Sequence, residues 1–413
     1  MMANRRQSTG VSTAGAGHAG VTSYRLDLIA SVQQGYTFSP DRQGQTQGKW
    51  PYVKVGDLNA HGNSKYMWRT TNYISDDVLA EMRATPFLAG SIVFPRVGAA
   101  LRNNNKRILQ QDCLTDDNVI VVTVRDPNIC CAEYLYYWFD YHDLQQFCND
   151  GTVPVINGKN LKRQKVPLPA IEAQQKTASM LSAWDTSVEK TVQLIAAKED
   201  HYTHELSRLI SQCKHQRSHV GHFAHEVSER NRGGNDERVL SVTNSRGFVL
   251  PEDQFERRVA SADLSNYKVV TRGQYAYNPS RINVGSIARL DDWDMGVLSP
   301  MYVVFGLDHA KVNSDYFLHW LDSHEARERI KKSAQGSVRE TVSFTEFAAI
   351  AFPMPDHGRQ AAIARYLNTL REEISTLGDY VDRLKEQKRG LMQKLLTGQW
   401  RVAIPTSKEV PHA

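Results

Sequence analysis

The sequence predicts an α+β protein: two globular mixed α/β modules separated by two long helices that pair as an antiparallel coiled coil. Three observations carry this. The first is an internal repeat. Pro167, Pro169, Gln174, Ala178, Leu181, Leu206 and Leu209 stand opposite Pro353, Pro355, Gln360, Ala364, Leu367, Met392 and Leu395. Pro167 and Pro353 are 186 residues apart, as are Leu209 and Leu395, so the register holds without a gap. Repetition on this scale means two copies of one unit. The second is a heptad, Ile363, Leu367, Leu370, Ile374, Leu377, Val381, Leu384, Lys388, Leu391 and Leu395, with Lys388 its one polar interruption. An apolar period of 3.5 residues kept this long is a coiled-coil seam. The third is that short or alternating apolar runs bounded by turn residues precede each helix, which is the pattern of strands.

In chain order, residues 1–21 are rich in Gly, Ala, Ser and Thr and read as a disordered tail. Residues 22–165 form the first module, with strands over Trp50-Pro-Tyr-Val-Lys-Val, Gly90-Ser-Ile-Val-Phe-Pro and Val119-Ile-Val-Val-Thr-Val and one short helix over Ala132–Phe147. The first helix region, 166–213, repeats Leu181, Val188, Ile195, Tyr202 and Leu209 every seventh residue, supported by Trp184, Val192 and Leu206. Asp185 and Glu199 interrupt that seam, and Asp185-Thr-Ser is able to cap a second helix, so a break near Trp184 is an open alternative. Residues 214–351 repeat the module layout with strands over Val239-Leu-Ser-Val, Gly273-Gln-Tyr-Ala-Tyr and Met301-Tyr-Val-Val-Phe, and a short helix over Ser314–Lys332. The second helix region, 352–402, starts at the N-cap Asp356, and 403–413 is a tail. Neither long helix can bury its stripe alone, so each is expected to cover the other. The pairing residues are Leu181, Val188, Ile195, Tyr202 and Leu209 with Ile374, Leu377, Val381, Leu384, Leu391 and Leu395.

Composition narrows the function. The chain has 413 residues, 41% hydrophobic and 23% charged, as ordinary globular proteins do. Its 50 Lys and Arg against 45 Asp and Glu give a net charge of +5, which permits nucleic-acid binding. Distribution is more telling. Arg96, Arg102, Lys106 and Arg107 lie in an acid-free stretch with Asn103, Asn104 and Asn105. Lys159, Lys162, Arg163 and Lys165 lie in another with Asn157 and Asn160. Arg pairs bidentately with guanine and Asn with adenine, so in a chain that binds DNA, as the resemblance described below implies, Arg96, Arg102, Asn103, Asn104, Asn105, Lys106, Arg107, Asn157, Lys159, Asn160 and Lys162 are the candidate contacts. Asn244, Arg246, Asn278, Arg281 and Arg339 are their counterparts in the second module. The five cysteines show no C-x-x-C spacing and read as free thiols of a reducing compartment. The N-terminal stretch has no apolar core of a secretory signal, and no run approaches the ~18 apolar residues of a membrane span.

The order module–helix–module–helix resembles the DNA-specificity subunit of type I restriction–modification systems. The resemblance rests on Leu168-Pro-Ala-Ile-Glu-Ala-Gln and Pro355-Asp-His-Gly-Arg-Gln at the helix starts. It rests equally on Glu205-Leu-Ser-Arg-Leu-Ile and Gly390-Leu-Met-Gln-Lys-Leu-Leu-Thr-Gly at their ends, and it covers about 22–402. Gly56-Asp-Leu, Gly90-Ser-Ile-Val-Phe and Gly151-Thr-Val-Pro-Val-Ile-Asn are similar to segments of its target-recognition domains. The resemblance implies a non-catalytic subunit in the cytoplasm of a bacterium or archaeon, with two target-recognition domains reading the halves of a bipartite, asymmetric DNA target. It implies helices that space the readers and dock two DNA adenine methyltransferase subunits, which recruit endonuclease/translocase subunits. It implies no cofactor or metal in this chain, with S-adenosylmethionine, Mg2+ and ATP belonging to the partners, and no membrane contact. The alternatives are a coiled-coil protein-interaction scaffold and the specificity chain of a type II-like restriction–modification enzyme.

Other motifs point to catalysis less well. Asn278-Pro-Ser-Arg begins like an amino-methyltransferase signature but lacks its second proline and aromatic. Pro355-Asp and Glu386-Gln-Lys match a loose nuclease pattern, yet one helix holds them about 45 Å apart, too far to share a metal. His215, His219, His222 and His225 near Cys213 do not hold one face and read as a solvated linker. The run Tyr134-Leu-Tyr-Tyr-Trp-Phe-Asp-Tyr offers a stacking platform for bases, but on a short helix it reads as core.

Overall fold

The computed structural model describes residues 21–60, 62–149, 151, 153–212, 216–232, 238–250, 263–334 and 341–402. Apart from Val21, the tails expected at 1–21 and 403–413 lie outside these residues, as do Cys213, His215 and Arg339. The described chain forms two compact units. One holds residues up to Lys190 together with those from Val381 on, and the other is Thr191–Tyr380. Five helices organise them: α1 Ala132–Tyr141, α2 Ile171–Leu206, α3 Ser314–Asp322, α4 His324–Ala334 and α5 His357–Leu396. The unit boundary falls inside α2 and α5.

The first unit is built on strands β1 Thr22–Arg25, β2 Ala30–Gln34, β3 Tyr66–Met67, β4 Ile92–Pro95, β5 Arg107–Leu109, β6 Val119–Val124 and β7 Lys165–Leu168. Its main sheet has the order β2–β6–β4–β5–β3, antiparallel except for the parallel edge pair β5–β3. Strand β6 shows why the sequence reads Val-Ile-Val-Val. Ile120 and Val122 enter the cluster shared with α1, and Val119 and Val121 enter a second cluster with Val53, Leu58 and Phe87. A strand buried on both faces needs apolar residues at every position. Tyr134 to Phe139 of α1 are all buried, so the aromatic run is core. Strands β1 and β7 form a two-stranded antiparallel ribbon with Ser23 opposite Pro167, tying the module's start to its end.

The second unit repeats this plan with β8 Arg217–His219, β9 Ala224–Val227, β10 Tyr275–Tyr277, β11 Ile287–Arg289, β12 Val303–Leu307 and β13 Ala351–Pro353. The order β9–β12–β10–β11 matches β2–β6–β4–β5, and the β8–β13 ribbon matches β1–β7. The helix expected over Ser314–Lys332 is two helices. Ser323 is extended (φ −68°, ψ 150°) and its hydroxyl accepts from the Ala326 amide at 3.1 Å, which ends α3 and caps α4.

The repeated glutamines have one purpose in both units. Gln174 Oε1 accepts from the Cys131 amide at 2.8 Å, and its amide nitrogen donates to the carbonyls of Ile129 and Pro169. Gln360 Oε1 accepts from the Asn313 amide at 2.8 Å, and its nitrogen donates to Lys311 and Pro355. Each glutamine fastens the start of a module helix to the start of a long helix. The hydroxyls of Tyr134 and Tyr316 reinforce the joint by donating to Pro167 and Pro353.

Within each unit the two long helices run antiparallel. In the first, Ala178 and Leu181 share a core with Met392 and Leu396, while Asp185 meets Lys388 at 2.5 Å. In the second, Lys198 meets Glu373 at 2.7 Å, and His201 and Tyr202 lie against Tyr366 and Arg371. Leu181, Val381, Leu384 and Leu395 are buried, while Val188, Ile195, Tyr202, Leu209, Ile374, Leu377 and Leu391 are half-buried. Val192 is 49% exposed and Glu199 is exposed, so the seam passes through Thr191 and Lys198 instead. Helix α2 is also unbroken at Trp184. Asp185 does not cap a new helix, because its carboxylate takes the Tyr137 hydroxyl at 2.6 Å as well as Lys388.

Thus two of the three irregularities of the heptads, Asp185 and Lys388, are partners. Lys388 also reaches Asp140 at 3.0 Å, and Lys65 donates to the Tyr137 hydroxyl at 3.0 Å. Burial depresses an ammonium, and it does so at Lys65. At Lys388 the same penalty is outweighed by Asp140 and Asp185, so its affinity for a proton rises. The corresponding place in the second unit holds buried His319. Its Nε2 donates to Asn368 at 2.8 Å and its Nδ1 accepts from the Tyr202 hydroxyl at 2.9 Å. Burial and nearby Arg371 push its pKa down to about 4, so it sits there neutral. Lys388→Met would leave Asp140 and Asp185 without their cation. We expect a loss of about 3 kcal/mol in a urea melt, partly recovered by adding Asp185→Asn; a loss within the ~0.5 kcal/mol of surface changes contradicts the network's importance.

Candidate nucleic-acid interface

The first module brings its two acid-free segments together. Strand β4 ends at Pro95, just before Arg96, and beyond it Val97 bridges Val155. The Gly98 amide donates to Pro154 at 3.0 Å, and the Ile156 amide donates to Arg96 at 2.9 Å. Gly98 has φ +74°, a left-handed conformation that favours glycine. It opens a short turn, Ala99–Asn103, closed by Asn104 at φ +54°. Asn157 caps the next helical turn, Gly158–Lys162, by accepting from the Lys159 amide. Arg102, Asn103, Lys159, Asn160, Lys162 and Arg163 all lie on the joined segments and all are exposed.

Other candidates in this stretch are engaged by the fold itself, and the buried Lys106 faces the interior instead of a ligand. Lys106 is buried, donates to the His142 carbonyl at 2.8 Å, and is pushed down to about 8 by burial. Arg107 donates to the carbonyls of Asn63 and Lys106 at 2.6 and 2.8 Å. Asn104 accepts from the Leu144 amide, and Asn105 bonds Asn59. Arg96 is half-buried, with Nε donating to the Asp117 carbonyl at 3.1 Å. Counting acid-free loops finds cations, but it cannot tell which of them a β-strand turns inward.

In the second module the corresponding loop follows β10. Asn278 is buried and its Oδ1 accepts from the Ser280 amide, so Asn278-Pro-Ser-Arg forms a local turn with Asn278 facing inward. Arg281 is exposed. The loop leans on the hairpin Ser241–Thr243 and Gly247–Val249, whose tip carries the exposed Asn244 and Arg246. A Cβ at Gly285 would lie 3.7 Å from Asn244, and the Ser286 hydroxyl donates to the Val242 carbonyl at 2.7 Å. The Val342 amide donates to Pro279 at 3.1 Å, as Ile156 does to Arg96 in the first module. The same corner of both modules therefore presents exposed Arg and Asn.

No helix among the described residues is long and apolar enough to cross a membrane. No group of three or more metal-ligating side chains converges among them, with Cys213 and His215 outside their range. Two networks escaped the sequence reading: Asp140 and Tyr137 around Lys388, and Asn63 behind Arg107. The pairing of Asp185 with Lys388 was in principle detectable, as complementary charges in two otherwise apolar seams.

Comparison with known proteins agrees with this architecture. Residues 19–197 match the family of the type I restriction modification DNA specificity domain. Two proteins of Methanocaldococcus jannaschii are similar in sequence. One is a putative type I restriction enzyme MjaX specificity subunit, 21% identical over 272 residues, or 60% of this chain and 62% of that protein. The other is the type I restriction enzyme MjaIX specificity subunit, 37% identical over 175 residues, or 40% of this chain and 38% of that protein. Both matches thus span less than two thirds of the relative. In structure, the S subunit of a type I restriction–modification system from M. genitalium is similar over 93% of this chain and 98% of its own, with TM-score 0.56 and 14% identity. A chain from a study of the assembly and conformational transition of the type I system covers 93% and 99%, with TM-score 0.57 and 12% identity. These two show the shared fold. The resemblance read from the sequence is borne out over residues 19–197, which match the specificity-domain family, and the chain shares its fold with two solved chains of type I systems.

Proposed function

We propose that this chain reads DNA for a type I restriction–modification complex and is not itself an enzyme. Each module recognises one half of a bipartite, asymmetric double-stranded target. The long helices set the distance between the readers and dock two adenine methyltransferase subunits, through which endonuclease/translocase subunits join. S-adenosylmethionine, Mg2+ and ATP serve those partners, in the cytoplasm of the host cell. The observation that carries this reading is the repeated corner. Two modules of one strand order present exposed Arg and Asn at equivalent loops, while the residues themselves differ. A shared scaffold with different side chains is what reading two different half-sites requires. Met180, Val192, Leu194, Tyr366 and Tyr380, exposed on the long helices, support a docking role.

Binding by the chain with its methyltransferase subunits should weaken steeply with salt, because phosphate neutralisation releases counterions. Arg102→Ala and Lys162→Ala should each lower the salt slope by about 1. Lys106→Met should leave the slope unchanged, since that ammonium faces a carbonyl in the interior. Salt-independent binding, or equal slopes lost at Lys106 and Arg102, contradicts the interface.

The helices as spacer are tested by insertion. Four residues added between Ala197 and Tyr202 lengthen α2 by about one turn, ~6 Å. The unspecified gap in the target, roughly 5–8 base pairs for readers a helical turn apart, should then grow by one or two base pairs with both specific blocks unchanged. A gap indifferent to the insertion removes the spacer role.

A further inference from the structure

The geometry points to a base-reading site in the first module that lies apart from the candidate contacts above: Trp68 and Arg69 with Gln110 and Gln111. The inference rests on the DNA-reading function proposed above and names the residues through which part of one half-site is read.

Strands β3 and β5 are parallel at the edge of the sheet, with Tyr66 beside Ile108 and Met67 beside Leu109. Their continuations therefore leave the sheet together, and Trp68, Arg69, Gln110 and Gln111 line one hollow. Trp68 is 61% exposed, and Arg69 and Gln111 are exposed. This is the chemistry of groove recognition. Arg reads guanine and Gln reads adenine by paired hydrogen bonds, and an aromatic face stacks on or wedges between bases.

The backbone under these side chains is fixed to an unusual degree. Asn63 is buried, and its Oδ1 accepts from the amides of both Trp68 and Arg69, at 2.9 and 3.0 Å. Its Nδ2 donates to the carbonyls of Asp57 and Arg69, at 2.8 and 2.7 Å. Arg107 in turn donates to the Asn63 carbonyl at 2.6 Å, and Thr70 is held by Tyr52 and Asp57. A buried amide with both ends saturated holds the backbone of two exposed residues in place, part of the preorganisation a recognition site needs. Arg107 is then a positioning residue, acting through Asn63. The segment that leads to Asn63 is also tied to the basic loop, because Asn105 donates to Asn59. The neighbouring acids are turned away. Asp57 is buried and takes Thr70, and Asp112 takes the Ala89 amide at 2.8 Å.

The test uses the full chain with its methyltransferase subunits and duplexes varied at each position of both half-sites. Arg69→Ala and Gln111→Ala should relax discrimination at one or two base pairs of one half-site by roughly 5- to 150-fold, with the other half-site unchanged. Arg69→Lys should also relax it, since the charge remains but the paired donors do not. Because Arg69 and Gln111 are exposed, thermal melting of both variants should match the unaltered chain. Uniform weakening on all sequences with a reduced salt slope would make Arg69 a phosphate contact and overturn the proposal. Unchanged discrimination would overturn it too, and would then favour a protein partner for the hollow. If the unaltered complex shows no half-site preference at all, the DNA-reading function fails instead, and the two failures are distinct.

Discussion

Neither module closes its own core, and the rest of the structure depends on that constraint. In the first unit the sheet and α1 leave an apolar face that Ala178 and Leu181 of α2 and Met392 and Leu396 of α5 complete. In the second, Leu206 and Ile210 with Ile363, Leu367 and Leu370 complete the corresponding face. Burying such side chains is worth about 1.5–3 kcal/mol each, so several together are comparable to the whole stability of a domain. Each unit thus needs both long helices, which are distant from each other in sequence. That explains why the helices can be far longer than one module requires and still be ordered in both.

Polar contacts then fix the register that apolar packing leaves loose. The glutamines Gln174 and Gln360 make the same set of bonds twice. The seam positions have diverged instead. Asp185 and Lys388 pair in the first unit, while the residues 186 positions removed, Arg371 and Tyr202, meet in the second through a cation over a ring at 5.3 Å. Asp322 pairs with Arg371 much as Asp140 pairs with Lys388. A slip of either helix would leave these half-buried charges without partners, a cost that apolar packing alone does not impose.

Much of this was legible in the sequence, and the boundary of legibility has a physical cause. The repeat and the heptad report periodic burial, so the helices, their antiparallel pairing and the module order came through. The strands at Ile92–Pro95 and Val119–Val124 came through because strands buried on two faces are continuously apolar. The break at Ser323 did not, since one serine in extended conformation decides it. For the candidate interface, composition found cations and asparagines but not which of them the fold leaves exposed. Lys106 and Arg102 lie four residues apart in one basic stretch, yet one is buried and the other exposed. Trp68 and Arg69 gave no signal, because what marks them is the buried amide of Asn63 beneath them.

In the proposed division of labour this chain reads the DNA and other chains carry out the chemistry. The most direct test is the map of methylated adenines across the genome of a host whose system is otherwise intact, with and without this chain. Methylation at one two-block motif with a fixed gap should disappear when the chain is absent and return when it is restored. Methylation at that motif that persists without the chain would contradict the division.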